Sequence, residues 1–350
     1  MVGPAARYGI LRRVEPVILA LAALVGLGSA GGAWWVSGRQ ERRRNDVWRA
    51  LAARRDGTFL PGSIGPFSRV SPMVQAVVGH VIVRLDLHTV GSGKHTQYFT
   101  RARASYALGA GPAYEIRPEG IAQMFSKALG GQDLELGGDR AFDEAFVVRT
   151  DDPEGTRAAW TPRCKRWLVD HLSSAKALSG GERVDVQVRG LLIEPEPLDA
   201  LLDACGHLAS FGAPLLERYA ALPEARFYPM GGSFEGPIAP RLEVETKIGV
   251  VDVEVLTARG APRLRIERSH GRALPPFSVE LGGDAAEAPR GLITDRARPL
   301  LDRAGHATLA GSEETLRITW REAPEPAELK AGCDLLAELV GARRSEGAFR

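Results

Sequence analysis

The feature of this sequence that most constrains its fold is an internal repeat. A series of short patterns in the first two thirds of the chain recurs in the same order in the last third. The matching pairs, first copy before second, are 59–63 and 227–231, 79–85 and 249–255, 98–104 and 263–268, 134–139 and 279–284, 161–171 and 294–304, 184–188 and 316–320, and 194–211 and 323–340. Chance supplies one such match but not an ordered series. The chain is therefore predicted to contain two related halves, 56–222 and 223–343, followed by a tail over 344–350.

Alternating apolar and polar residues predict β-strands in both halves, because side chains along a strand point to opposite faces in turn. Polar linkers around residues 91–93 and 259–260 separate consecutive strands and indicate hairpins, so each half is expected to contain an antiparallel sheet. The residues expected to share a buried strand face are Val81, Val83 and Leu85 in the first half and Val251, Val253 and Val255 in the second.

Helices are predicted at matching places in the two halves. Thr161 and Thr294 are each placed where a threonine can cap a helix N-terminus. Proline-rich turns then lead into two long helices, which Gly212 and Gly341 are expected to close in the same register. The predicted fold class is α+β, with helices packed on the antiparallel sheet of each half behind one N-terminal transmembrane helix.

Two segments of the first half have no counterpart in the second. One is a predicted amphipathic helix over 118–129, and the other is the stretch 141–150 with an acidic turn after it. A localised function is therefore expected in the first half.

The segment 16–38 is free of charge and is predicted to be the transmembrane helix, because its length suffices to cross the hydrocarbon core of a bilayer. It lies between a basic flank over 1–15 and a basic juxtamembrane helix over 39–55. A cleaved signal peptide and a buried core helix are the alternatives. The flanking residues expected at the membrane boundaries are Arg12, Arg13, Trp34, Trp35, Arg42, Arg43 and Arg44.

Arginines slightly favour the C-terminal side of this segment, which favours a cytoplasmic location for the remainder of the chain and a single pass through a bacterial inner membrane. Gly28 and Gly32 form a G-x-x-x-G pair that could let two such helices approach closely, so a homodimer through the membrane helix is possible. The G-x-G-x-x-G pattern at 26–31 follows no strand and does not predict dinucleotide binding.

Composition narrows the class of protein. The formal charge is +2, with 45 basic and 43 acidic residues, which argues against nucleic acid as a partner. The three cysteines, Cys164, Cys205 and Cys333, form no C-x-x-C pair, so they are expected to be buried apolar residues rather than disulfides or metal ligands.

The stretch 138–152 contains an F-D-x-x-F-x-V element formed by Phe142, Asp143, Phe146 and Val148. It resembles an element of an uncharacterised bacterial family of membrane-anchored proteins of unknown function. The resemblance implies membrane association and no assigned activity, although such proteins often have two membrane helices where this chain has one. In physical terms, the apolar members of the element can be buried while Asp143 caps a turn or a helix start.

No catalytic, cofactor-binding or metal-binding residue is predicted. The seven histidines form no tight cluster, and the S-x-x-K sequence at 173–176 lacks the partner motifs of serine β-lactamases. Glu196, Asp199 and Asp203 are spaced to share one face of a helix, and we interpret them as a solvated acidic face.

Three functions remain open on the sequence. The preferred hypothesis is a membrane-tethered, non-enzymatic interaction or scaffold protein whose partners are the lipid bilayer and an unknown protein. The alternative is a membrane-associated protein that binds a lipid or small ligand between or within the halves. The third is an enzyme of unrecognised type.

Overall fold

The computed structural model describes residues 39, 41–64, 69–91, 95–119, 136, 139–232, 237–247, 249–257, 260–269, 276–281, 293–312 and 314–346. The segment predicted to cross the membrane lies outside these ranges, as do Arg12, Arg13, Gly28, Gly32, Trp34 and Trp35. The same holds for all but two residues of the helix predicted over 118–129 and for most of the matched pair 134–139 and 279–284. None of the helices in the described part of the chain is long and apolar enough to span a bilayer.

In the described part of the chain, fifteen elements form what we term the first unit, from α1 to α5. In chain order they are α1 (41–54), β1 (Thr58–Leu60), β2 (Ser63–Ile64), β3 (Arg69–Val70), β4 (Met73–Val78), β5 (Val81–Val90), β6 (Gln97–Ser105), β7 (Ala113–Pro118), α2 (Arg140–Ala145), β8 (Phe146–Thr150), α3 (Pro153–Ala159), α4 (Pro162–His171), β9 (Ala175–Gly180), β10 (Arg183–Arg189) and α5 (Pro195–Ala209).

Twelve elements of the described residues form the second unit, from α6 to α8. They are α6 (Ala213–Arg218), β11 (Ala225–Tyr228), β12 (Gly231–Gly232), β13 (Pro237–Ile238), β14 (Arg241–Thr246), β15 (Gly249–Leu256), β16 (Arg263–Ser269), β17 (Phe277–Glu280), α7 (Arg298–Arg303), β18 (Ala307–Gly311), β19 (Thr315–Trp320) and α8 (Pro326–Glu346).

Each unit is built on one antiparallel sheet, as the α+β prediction requires. The first sheet has the order β1-β4-β5-β6-β10-β9-β7-β8, and the second has the order β11-β14-β15-β16-β19-β18-β17. The two orders correspond strand for strand except for β8, which adds an edge to the first sheet. The segment 141–150, which has no counterpart in the second half of the sequence, forms most of α2 and all of β8.

The register confirms which strand face is buried. Val81, Val83 and Leu85 are each at most 3% exposed, and α5 packs against this inner face of the first sheet. In the second sheet Val251 and Val253 are likewise buried under α8, whereas Val255 is only partly buried. A two-residue ribbon, β2–β3 or β12–β13, follows the first strand of each sheet.

Helix boundaries agree with the sequence in the first unit and less well in the second. Thr161 caps α4 by accepting the backbone N–H of Cys164, as predicted. The Thr294 prediction is wrong, since the N-cap of α7 is Ala297, and Thr294 instead stabilises the preceding turn by accepting the N–H of Ala297. Gly341 does not close α8 either, because this helix continues to Glu346.

The helix that opens each unit is tied to the segment before the helix that closes it. In the first unit the indole N–H of Trp48 in α1 donates to the carbonyl of Leu192, at 3.3 Å. In the second, the hydroxyl of Tyr219 directly after α6 donates to the carbonyl of Pro324, at 2.6 Å. Trp48 and Tyr219 are both 0% exposed, so each opening helix is part of its own hydrophobic core.

Candidate functional site: a basic cleft beside the first sheet

The F-D-x-x-F-x-V element is part of the first hydrophobic core. Phe142, Phe146 and Val148 are at most 3% exposed, and the two phenylalanine rings stack with centroids 5.1 Å apart. The helix cap is Asp139 rather than Asp143, because the Asp139 carboxylate accepts the N–H of Phe142. Asp143 lies in the first turn of α2, one turn past the residue that caps it.

The acidic face of α5 is ion-paired rather than solvated, which corrects the sequence interpretation of Asp199 and Asp203. The Arg55 guanidinium donates to both oxygens of Asp203, at 2.8 and 3.0 Å, and also to Asp199 at 2.9 Å. Hydrogen bonding to Asp203 contributes most to raising the pKa of Arg55. These bonds fix α1, which carries Arg42, Arg43 and Arg44, to the body of the first unit.

The outer face of the first sheet is strongly basic. By register, its charged side chains among the described residues are eight basic ones, Arg84, Arg101, Arg103, Arg117, Arg149, Lys176, Arg183 and Arg189, and three acidic ones, Asp86, Glu115 and Asp185. A surface with this imbalance attracts anions.

A cleft of about 490 Å³ opens at one end of this face. Its floor is formed by outer-face residues of β4, β5, β6 and β10, and its far wall is formed by Met230, Ile238 and Ala239 at the β12–β13 ribbon of the second unit. Three arginines, Arg84, Arg103 and Arg183, line it, and the described lining includes no Asp or Glu. The cleft therefore combines a basic floor with an apolar wall.

The arginines of the cleft are incompletely neutralised. Arg84 stands directly opposite Arg103 in the β5–β6 ladder, and like charges in this position repel each other. Arg103 pairs with Asp86 at 2.9 Å, but Asp86 also takes Arg101 at 3.0 Å, so two guanidinium groups share one carboxylate.

Arg84 faces a neutral partner instead. With the amide oxygen of Gln75 turned toward it, that oxygen accepts from Nε of Arg84 at 3.2 Å and from Nη2 at 2.8 Å. Within the described chain no carboxylate lies in salt-bridge range of Arg84. The charge of Arg84 is therefore available to an anion that enters the cleft.

His80 holds the two units together beside the cleft. Its Nε2 lies 3.4 Å from the Glu217 carboxylate of α6, and its ring meets Phe227 of β11 edge-on at 6.2 Å. Its backbone N–H donates to the hydroxyl of Ser210, the C-cap of α5, at 3.0 Å and so fixes His80 within the first unit. The units also share the bond from the Thr257 hydroxyl to the Ala110 carbonyl, at 2.7 Å. These contacts fix the position of the ribbon over the basic floor.

The other reactive side chains are used in packing. Cys164, Cys205 and Cys333 are buried, as predicted, and burial raises the pKa of each thiol, that of Cys333 to about 12. Such thiols stay protonated and unreactive. Across the ranges that the structure describes, no group of His, Cys, Asp and Glu side chains is arranged to hold a metal ion.

Comparisons of this chain with protein families, with curated proteins and with solved structures give no match. This is consistent with the uncharacterised family that the F-D-x-x-F-x-V element resembles, and no known family is identified.

Sequence reasoning missed the cleft although a signal for it was present. Arg84 alternates with the apolar residues of β5, and Arg101 and Arg103 alternate with those of β6. The buried positions of these strands predict a sheet but carry no information on its outer face. The opposite positions of the same strands indicate a row of basic groups, but only the pairing of β5 with β6 brings them together.

Proposed function

We propose that this protein is a membrane-tethered, non-enzymatic binding protein that takes an anionic ligand in the cleft between its two units. Arg84 carries the proposal, because its charge faces an opposed arginine and a neutral amide in a cleft whose described lining contains no acid. The ligand class is a phosphate or carboxylate with an apolar portion. The anionic group would bind the arginines, and the apolar portion would contact Met230 and Ile238.

The two units are proposed to be copies of one ancestral unit, and the corresponding strand orders support this. In this view the first copy acquired β8 and its basic face. The second copy contributes the ribbon that completes the cleft.

Binding is tested by thermal unfolding of the full chain with inorganic phosphate, the ionic strength being held constant with chloride. A ligand that binds only the folded state at ten times its dissociation constant stabilises that state by about 1.4 kcal/mol, which raises the melting temperature by a few degrees. We expect Arg84→Gln to abolish this rise.

The matched control is Arg226→Gln on the outer face of the second sheet. Arg226 is 70% exposed and lies 3.6 Å from Glu245, so its replacement removes the same charge without touching the cleft. The proposal is contradicted when both variants keep the rise, since phosphate then binds elsewhere, or when the parent chain shows none with phosphate, citrate or an alkyl phosphate.

The membrane tether of the proposal follows from the apolar segment 16–38 and the arginines after it. Paired C-terminal reporters test it, one active only in the cytoplasm and one only after export. A signal from the cytoplasmic reporter and a membrane-bound product are expected. A soluble product would contradict the proposed membrane tether.

The breadth of the basic face favours a second candidate, a scaffold that binds an acidic protein. A photo-crosslinking residue at Gln187, between Arg101 and Lys176 in the first sheet, tests this in intact cells. Its control is Thr319, at the centre of the second sheet. A discrete adduct from position 187 alone is expected, and equal adducts from both positions would argue against a specific face.

A further inference from the structure

A second cavity, of about 410 Å³, lies beside α1, and nothing in the proposed cleft accounts for it. It is lined by Arg44 of α1, by Leu87 and Tyr98 of the β5–β6 hairpin, by Arg189 at the end of β10 and by Leu191 after that strand. The described lining contains two arginines and no acidic residue. Glu41 lies 3.4 Å from Arg44 and offsets part of that charge.

The rim of this cavity presents apolar groups to solvent. Tyr98 and Leu191 are each 41% exposed, and Val90, opposite Gln97 on the same hairpin, is 49% exposed. Together with the arginines they form an amphipathic surface of the kind found at the boundary between lipid headgroups and acyl chains.

Leu191 is held outward by a specific set of hydrogen bonds. The buried Thr100 hydroxyl donates to the carbonyl of Gly190 and accepts the N–H of Leu192, each at 2.9 Å. The carbonyl of Leu192 in turn accepts the indole N–H of Trp48. These bonds fix the backbone on both sides of Leu191 to the sheet and to α1. The fold therefore holds the side chain of Leu191 in an exposed position.

The position of the cavity along the chain places it close to the proposed membrane tether. Arg44 is six residues after the end of the apolar segment at residue 38. Residues 41–44 are helical and rise about 1.5 Å each, and three residues of any conformation span at most about 11 Å. Arg44 therefore lies within about 15 Å of the point where the apolar segment ends. The ion pairs between Arg55 and Asp203 fix α1 to α5, so the cavity keeps its orientation relative to the start of α1.

We propose that this cavity binds the headgroup phosphate of an anionic phospholipid, with Tyr98, Leu191 and Val90 resting in the membrane interface. Arg44 and Arg189 provide the charge, and the apolar rim provides the contact with the acyl boundary. The proposal rests on the membrane tether of the proposed function. It adds that the first unit lies against the membrane in one fixed orientation.

The test uses the full chain in lipid nanodiscs that contain a phospholipid with a nitroxide quencher. A fluorophore is attached through Val90→Cys, with Val250→Cys, 50% exposed in the second unit, as the matched control. Trp34→Cys reports on the tether itself. The native cysteines are 0% exposed and do not compete for the label.

We expect the labels at positions 34 and 90 to lose most of their emission and the label at 250 to keep it. Emission retained at 90 with loss at 34 would overturn the cavity proposal and leave the tether intact. Emission retained at both would remove the tether and the proposal together. Equal loss at 90 and 250 would show an unoriented protein and would also overturn it.

The role of the arginines is tested by lipid composition. Quenching at position 90 should be stronger in discs that contain phosphatidylglycerol than in discs of phosphatidylcholine alone. Arg189→Gln should remove most of this difference, whereas Arg226→Gln, on the outer face of the second sheet, should preserve it. A difference unchanged by Arg189→Gln would overturn the assignment of a headgroup site.

Discussion

The two sheets of this protein share a strand order but differ in the chemistry of their outer faces. Among the residues that the structure describes, the first sheet carries eight basic and three acidic side chains there. The second carries five basic and six acidic ones: Arg226, Arg241, Arg263, Arg265, Arg317, Glu243, Glu245, Asp252, Glu254, Glu267 and Glu280. The buried faces are apolar in both sheets because they must form a core. The outer faces are free of that requirement, so they are the surfaces on which two units with one architecture can acquire different functions.

Individual cross-strand pairs show the same difference between the outer faces of the two sheets. In the second sheet Arg265 lies opposite Glu254 and donates to it from Nε at 2.9 Å, so the two charges cancel. In the first sheet Arg84 lies opposite Arg103, and no carboxylate of the described residues lies in salt-bridge range of Arg84. Like charges opposed in this way lower stability, and such local departures are typical of functional sites.

The shared architecture can be tested at a glycine in the closing helix of each unit. A Cβ at Gly332 in α8 would lie 2.5 Å from the ring of Trp320, and one at Gly206 in α5 would lie 2.4 Å from Cγ1 of Val78. Both alanine variants should lower the free energy of unfolding, by about 1–3 kcal/mol, because overpacking outweighs the gain in helix propensity. Hydrogen exchange read by mass spectrometry should locate each loss in its own unit.

The larger loss is expected at Gly332, since the Trp320 ring is buried and held by its N–H bond to the Ala304 carbonyl at 2.8 Å. Val78 lies at a strand end and is only partly buried, so it can yield. A gain in stability from Gly332→Ala would show that α8 does not approach its sheet as closely as α5 does.

The attachment of the opening helices should differ between the units. Asp203→Asn weakens a half-buried, bidentate pair with Arg55 and should cost about 1 kcal/mol, with faster hydrogen exchange over α1. The counterpart in the second unit is the pair between Arg218 and Glu325, at 3.0 Å, which is largely exposed. Glu325→Gln should change the free energy of unfolding by less than about 0.5 kcal/mol. Equal effects would mean that α1 is held no more firmly than α6.

A dependence of stability on pH is expected in the first unit. Burial, and to a lesser extent Arg163, lowers the pKa of His207 in α5 below its usual value of about 6.5. The unfolded chain then binds a proton that the folded chain does not, so the contribution of His207 is complete above the unfolded pKa and is lost as the pH falls below it. Urea unfolding followed from about pH 7.5 to about pH 5.5 should show a smaller loss of stability for His207→Gln than for the parent chain. Identical losses would place the pH dependence on other groups.

The sequence by itself determined the central strands of each sheet, the longer helices and their order, because hydrophobic periodicity and helix capping act over a few residues. The buried faces of β5 and β15, the Thr161 cap and the prolines that open α5 and α8 were all readable in this way. The errors fell where local signals compete. Thr294 stabilises a turn, and Gly341 lies within a helix whose packing against its sheet outweighs the low helix propensity of glycine.

Tertiary structure alone decided which polar groups meet. The chain separates Arg55 from Asp203 by 148 residues and Arg84 from the ribbon by a similar distance, so no local pattern connects them. Strand pairing placed Arg84 opposite Arg103, and packing of the units placed Met230 above them. Charged groups interact through space, so a site that they form depends on the tertiary structure. The hydrophobic pattern that specifies strands and helices, in contrast, is local in the sequence.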